Sequence, residues 1–189
     1  MATTIDNGLD VVTFLKAQHQ QIKELLSEVR TTHGEQREST FTELRRLLAV
    51  HETAEELIVH PAASKALADG ESIVNVRLRE ENKAKKELSA LEDLEVDSAE
   101  FEAKFGTLAM DVLAHADAEE RQEFQPLAQG LDSEQLVRMR RAVEFAERVA
   151  PTRPHPGVES RAANLLVGPF AAMVDRARDL LTGPSEPNS

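Results

Sequence analysis

Two segments of this chain carry a histidine followed four residues later by a glutamate: His51-Glu-Thr-Ala-Glu55 and His115-Ala-Asp-Ala-Glu119. On a helix that spacing stacks the two side chains on one face. Their neighbours say which face. His51 has Leu44, Leu47 and Leu48 before it and Ile58 after it at helical spacing, and His115 repeats this with Leu108 and Val112. A third histidine, His19, lies between Val12 and Leu15 on one side and Ile22 and Leu26 on the other. All three imidazoles and both carboxylates are therefore expected to point at an apolar interior. Left unpaired there they would be costly, since breaking a buried ion pair typically costs about 3–5 kcal/mol. A bound cation removes the difficulty. Imidazole with carboxylate suits iron, manganese or zinc, and two glutamates able to bridge suit a pair of iron ions about 3.5–4 Å apart. A lone histidine on an apolar face is usually a satisfied core residue, and one such His–Glu pair is usually a surface contact. Five groups on the inward stripes of three helices point to metal instead.

The pattern is duplicated. Shifting the chain by 64 residues places Phe41, Leu44, His51, Ala54, Glu55 and Glu56 on Phe105, Leu108, His115, Ala118, Glu119 and Glu120 without a gap. A repeated helix pair follows. The elements that must position these residues are all helical, because long Ala-, Leu-, Glu-, Lys- and Gln-rich stretches are broken only at a few Pro and Gly positions. The first helix is expected to start at Asn7 or Asp10 and end near Gly34. A second runs from about Glu35 to Asp69, bent at Pro61 and stopped by Gly70; a third spans about Ser72 to Leu94. The fourth starts after Asp97-Ser98 and extends to Gly130. Short loops between four long helices predict an all-α, up-down-up-down four-helix bundle. Additional C-terminal helices are expected at Ser133 to about Ala150 and at Ala162 to Leu181, joined by the Pro-rich linker 151–157. The expected domains are thus a bundle over 8–130 and a helical extension over 131–189.

Composition excludes several classes. There are 189 residues with 22 Lys and Arg against 34 Asp and Glu, a net charge of −12, which disfavours nucleic acid and anionic membranes as partners. Cys, Trp and Tyr are absent, so thiolate nucleophiles, iron–sulfur clusters and tyrosine ligands are ruled out. No basic, apolar leader is visible and no run reaches the roughly 18 apolar residues of a membrane span, so a cytoplasmic protein is expected. His51-Glu-Thr-Ala-Glu55 is not the His-Glu-x-x-His of zinc proteases. Glu-x-x-His, the mark of ferritin-like di-iron proteins, does not occur.

The residues quoted resemble the hemerythrin-like HHE cation-binding family, whose pattern is a lone His, a His-x-x-x-Glu, a second lone His and a second His-x-x-x-Glu on four successive helices. The resemblance covers about residues 8–130. It implies a metal-binding four-helix bundle in which Glu55 and Glu119 bridge two metal ions and His19, His51 and His115 complete the coordination. One family position departs: the third helix reads Arg79-Glu80-Glu81-Asn82-Lys83, with Asn82 where the family histidine belongs. Periodicity favours its neighbour, because Glu81 has Val74, Leu78, Ala84 and Leu88 around it at helical offsets. Glu81 is read as the substitute ligand; the alternative is that both residues are solvated and one metal position stays open. His60, nine residues after His51 and about half a turn away, is read as a cap or outer partner of the site unless Pro61 turns it inward. Glu52 and Glu56 are read as exposed, and His33 and His155 as loop residues.

The expected cofactor is therefore two Fe ions in an oxo- or hydroxo-bridged di-iron centre, with Zn or Mn as alternatives. The resemblance implies oxygen binding or sensing, peroxide decomposition, nitric oxide handling or iron homeostasis, with a small diatomic or peroxide as ligand. Exchanging a histidine for Glu81 adds negative charge and favours the ferric state, which leans towards peroxide or oxygen chemistry of a catalase-like, peroxidase or oxidase kind over reversible carriage. The competing reading is a structural-metal interaction module whose apolar C-terminal stretch, with Phe170 and Met173, recruits a protein partner or a second copy.

Overall fold

The computed structural model describes residues 10–150, all of whose regular elements are helical. Helix α1 spans Val11–Thr31 and α2 spans Gly34–Ala54. A π-helical turn at Glu55–Val59 leads into α3, His60–Ala66, and α4 covers Gly70–Glu92. Helix α5, Ala99–Glu119, passes through a second π turn at Glu120–Phe124 into α6, Gln125–Gly130. Helix α7, Ser133–Val149, follows the bundle and packs against α1, α2 and the first π turn. The bundle expected from the sequence is present. The stretch beyond Ala150, with its linker and apolar segment, lies outside the described residues, as does Asn7.

Local chemistry sets the starts. Asp10 caps α1 by accepting from Thr13 N at 2.8 Å, and Ser98 caps α5 by accepting from Phe101 N at 3.1 Å. Asp132 and Gln135 form a reciprocal capping box at α7. Two glycines do the opposite of what was expected. Gly34 does not close α1 but opens α2, with φ at +57° and its N–H bonded to the Asp97 carboxylate at 2.9 Å. Gly70 likewise begins α4, because α3 already ends at Ala66. Buried Arg37 ties this end of the bundle together, donating to the carbonyls of Thr32 and Val96 and pairing with Glu102 and Asp97.

The long second and fourth helices are not continuous. His60 N bonds to Glu55 O and Gln125 N to Glu120 O, five residues back in each case. Two residues after the end of each π turn comes a proline, Pro61 or Pro126, which lacks the N–H that an α register would use at that point. One extra residue in the turn rotates everything after it by about 100°.

The apolar core falls into two clusters. Near the α7 end are Leu15, Ile58, Val59, Phe124, Leu127 and Met139. At the loop end are Ile22, Leu26, Leu44, Leu88, Leu108 and the aromatic trio Phe41, Phe101 and Phe105. Along α1, His19 separates Leu15 of one cluster from Ile22 of the other, and along α2, His51 separates Leu48 from Ala54. A polar layer divides the interior. Among the described residues no helix is long and apolar enough to cross a membrane.

The α3–α4 junction gives a stability test. A Cβ on Gly70 would lie 2.3 Å from Ala63 O and 2.8 Å from Ser64 Cα, both backbone atoms that cannot swing aside. Gly70→Ala is expected to lower stability in urea by about 1–3 kcal/mol. Gly106→Ala, with nothing within 4 Å of the new atom in mid-α5, should instead raise it by about 0.5–1 kcal/mol.

Candidate metal centre

Five elements converge on the polar layer: α1 brings His19, α2 His51, the first π turn Glu55, α4 Glu81 and the end of α5 His115 and Glu119. His19, His51, Glu55, Glu81 and Glu119 are each at most 3 % exposed, and the His115 side chain is 13 % exposed. Their donor atoms form overlapping groups. One atom each from His19, His51, Glu55 and Glu119 lie within 4.8 Å of one another, as do atoms of Glu81, His115 and Glu119. A third group is His60, Glu119 and Glu123. Glu119 belongs to all three. The six residues singled out in the sequence are thus brought together.

His60 is placed differently from the sequence expectation, and the π turn is the reason. In an unbroken helix it would sit about half a turn from the His51 stripe; the extra residue of Glu55–Val59 swings it to within about 80°. It is 1 % exposed, with Nε2 2.6 Å from Glu81 Oε1 and 4.0 Å from Glu119 Oε1. Glu52 also departs from expectation. It is 4 % exposed and faces Lys85 at 3.9 Å; Lys85 pairs with Glu56 and lies 3.9 Å from Glu81. Glu81 is buried where Asn82 is only half-buried, in line with the periodicity of α4.

The four histidines share one orientation. Each turns Nε2 towards Glu55, Glu81 or Glu119 and Nδ1 to a polar side chain on its other side, which for His60 is the fully buried Glu123. His19 Nδ1 meets Glu120 at 3.1 Å, His60 Nδ1 meets Glu123 at 2.9 Å, and His115 Nδ1 meets Glu80 at 2.9 Å. His51 Nδ1 instead meets the Gln18 carbonyl oxygen at 2.8 Å. Inside, His19 Nε2 is 3.4 Å and His115 Nε2 3.3 Å from Glu119, and His51 Nε2 is 3.3 Å from Glu55. The carboxylates behind the Nδ1 atoms are themselves braced. Lys16 pairs with Glu120, and buried Arg77 holds Glu80 at 2.6 Å and reaches Glu123 at 3.9 Å. A carboxylate behind an imidazole fixes the ring and its tautomer, the usual setting of metal-binding histidines. Glu80, Glu120, Gln18 and Glu123 escaped the sequence reading. Glu120 entered only as the repeat partner of Glu56 and Glu80 only as a neighbour of Glu81, while Glu123, four residues after Glu119, has a spacing that could have pointed to it.

The atoms facing inward are orphaned. His51 Nε2, His115 Nε2, both oxygens of Glu55 and of Glu119, and one oxygen of Glu81 are buried without a hydrogen-bond partner. Native proteins rarely leave such groups unsatisfied. Nitrogen and oxygen donors clustered this closely fit one or more borderline dications. Burial, with the positive field of His19, lowers the His51 pKa to about 3, which keeps its imidazole neutral. Burial, and then repulsion from Glu119 and Glu81, pushes the Glu55 carboxyl well above its usual range. Burial raises Glu81 to about 7, the His60 hydrogen bond opposing it. Burial disfavours the imidazolium of His60 and of His115, but carboxylates outweigh it: Glu123 and Glu81 for the first, Glu119 and Glu80 for the second. Both pKa values rise well above the ordinary histidine value. Burial works against the Glu119 carboxylate too, yet the adjoining His115 holds its pKa well below normal.

A cavity of about 310 Å³ opens beside the layer, reaching His19, His51, Glu81 and His115 between walls of Ile22, Leu48, Ala84 and Val112. The ion-paired Lys83 and Asp111 line it as well.

A helical bundle with a buried imidazole–carboxylate layer defines a cation-binding protein by class. The family model described as the hemerythrin HHE cation binding domain matches residues 10–128, and the chain belongs to that family. Among solved structures, a hemerythrin HHE cation binding domain-containing protein from Mycobacterium kansasii is similar in fold, with a TM-score of 0.65 and 21 % identity over 89 % of this chain and 99 % of the other. No curated protein matches the sequence.

Metal uptake should therefore move protons. His60 and His115 hold theirs at pH 7 in the metal-free protein because their pKa values are raised. A dication taking Nε2 must displace them, so adding metal at pH 7 is expected to release protons into an indicator dye, and affinity should fall as the pH falls. Uptake with no proton release would contradict the arrangement.

Proposed function

We propose that this chain is a non-heme di-iron protein that reacts with dioxygen, peroxide or nitric oxide, with oxygen sensing or peroxide decomposition as its role. In this reading His19, His51 and Glu55 would hold one ion and Glu81, His115 and His60 the other, with Glu119 shared; Glu55, expected from the resemblance as a second bridge, belongs to one donor group only. The observation that carries it is Glu119, whose buried oxygens make no hydrogen bond and which belongs to every one of the three donor groups. When bound, two iron ions would supply a redox pair able to take a small oxygen or nitrogen ligand. The chain's own residues do the rest. Glu80, Glu120 and Glu123 fix three imidazoles with Nε2 inward. Ile22, Leu48, Ala84 and Val112 supply the apolar part of the lining of the cavity of about 310 Å³ beside the layer, a volume that admits a diatomic or a peroxide. Glu81, standing in for the family's second lone histidine, adds a carboxylate, which would favour the ferric state and so supports turnover over reversible carriage. Lys85 lies near enough to offset part of that charge.

The test is elemental analysis with a visible spectrum on protein made in iron-supplemented medium. Wild type should hold two irons per chain with near-ultraviolet bands; Glu119→Ala should lose both, and Glu81→Ala one. A single colourless zinc in the wild type would overturn the reading. So would a reduced protein that binds and releases dioxygen through many cycles, for the reactive role.

A further inference from the structure

Three of the four inward histidines are backed directly by a carboxylate, which can only accept a hydrogen bond and so dictates that Nδ1 carries the proton. His51 is the exception. Its Nδ1 meets a primary amide, Gln18, which could by itself present either an oxygen or an N–H. What resolves the choice lies on another helix. The Gln18 amide nitrogen donates to Glu147 Oε1 at 2.7 Å, and Glu147 is on α7, beyond residues 10–128 matched by the family model. An ionised carboxylate takes the NH2 end, the carbonyl end is left for His51, and His51 must then donate from Nδ1 and keep its Nε2 lone pair for the interior. The bond from Gln18 favours the ionised form of Glu147 against the burial that raises its pKa.

We propose that Glu147 is a positioning residue for the metal centre, acting through Gln18 to set the tautomer and ring orientation of His51. The inference rests on His51 being a metal ligand, as read above. It gives α7, which packs on α1, α2 and the first π turn, a task beyond covering the apolar end of the bundle. It also makes the backing of His51 different in kind: a neutral amide, polarised from a distance, in place of an adjacent negative charge.

The experiment uses the full chain loaded with zinc, which is diamagnetic and needs no turnover. The rate of zinc loss to a chelator is measured for wild type, His51→Ala, Glu147→Leu, Glu147→Gln and the exchange variant Gln18→Glu with Glu147→Gln. Glu147→Leu frees the Gln18 amide to flip and should lose zinc about tenfold faster. The exchange variant restores the order of donors, since Glu at 18 accepts from both His51 and the new amide, and should return to within about threefold of wild type. Nitrogen-15 histidine spectra should show the His51 Nδ1–H protected from exchange in wild type and exchange variant and exposed in Glu147→Leu, with His19, His60 and His115 unmoved. If Glu147→Leu does not fold, Glu147→Gln against wild type decides: the proposal requires faster zinc loss and a less protected His51 Nδ1–H in Glu147→Gln, and wild-type values for both would overturn it. Unchanged zinc loss in Glu147→Leu while His51→Ala loses it quickly would overturn the role of Glu147 alone. Zinc retained by His51→Ala as by wild type would overturn the ligand reading and this proposal with it.

Discussion

Carboxylates and imidazoles held in one buried layer between two apolar clusters are the constraint on which this molecule turns. Such groups lose their hydration on folding, and the loss per ion is several kcal/mol even after relaxation. The layer holds four histidines and the glutamates 55, 81, 119 and 123, all but His115 essentially excluded from solvent. Apolar packing above and below does not repay such a loss at the atoms concerned. Mutual pairing repays part of it, as at His60 between Glu81 and Glu123, and a shared cation can satisfy the oxygens and nitrogens that pairing leaves out.

Around that layer the rest of the polar structure reads as support. Arg77 is buried because it must touch both Glu80 and Glu123, the carboxylates behind His115 and His60. Lys16 does the same for Glu120 behind His19. Lys85, enclosed by Glu52, Glu56 and Glu81, tempers negative charge on the α2–α4 side. Removing a charge from such a shell leaves its partner buried and alone, so these residues are coupled to the centre though they do not face it. Phe124, stacked on His19 with ring centroids 5.3 Å apart, closes the layer from the α7 side.

The two π turns make the site asymmetric despite the repeat. The histidine–glutamate pairs are 64 residues apart, whereas the π turns and their prolines are 65 apart. The first turn presents His60 to the interior; the second presents Glu123, and the two then bond to each other. A duplicated helix pair has thus been altered so that its halves contribute complementary groups, one a base and one an acid. The added residue is tolerated because a proline follows each turn and takes no part in the interrupted hydrogen-bond ladder.

The sequence by itself determined the helices, the neighbourhood of the caps that the structure places at Asp10 and Ser98, and the inward stripe carrying His19, His51, Glu55, Glu81, His115 and Glu119. These follow from helical periodicity and local hydrogen bonding, which act over a few residues and are written in the order of the chain. Tertiary structure alone decided the rest. His60 depended on a π turn that a 3.6-residue period does not contain, and the burial of Glu52 on α4 bringing Lys85 beside it. Gly34 and Gly70 read as stops because glycine ends helices readily, yet the close approach of α3 to α4 and of Gly34 to Asp97 made each a start. Glu80, Glu120, Gln18 and Glu147 look in sequence like ordinary polar surface. They gained their place only when helices distant along the chain set an acceptor within 3.1 Å of a histidine or of its partner, a proximity that no local pattern encodes.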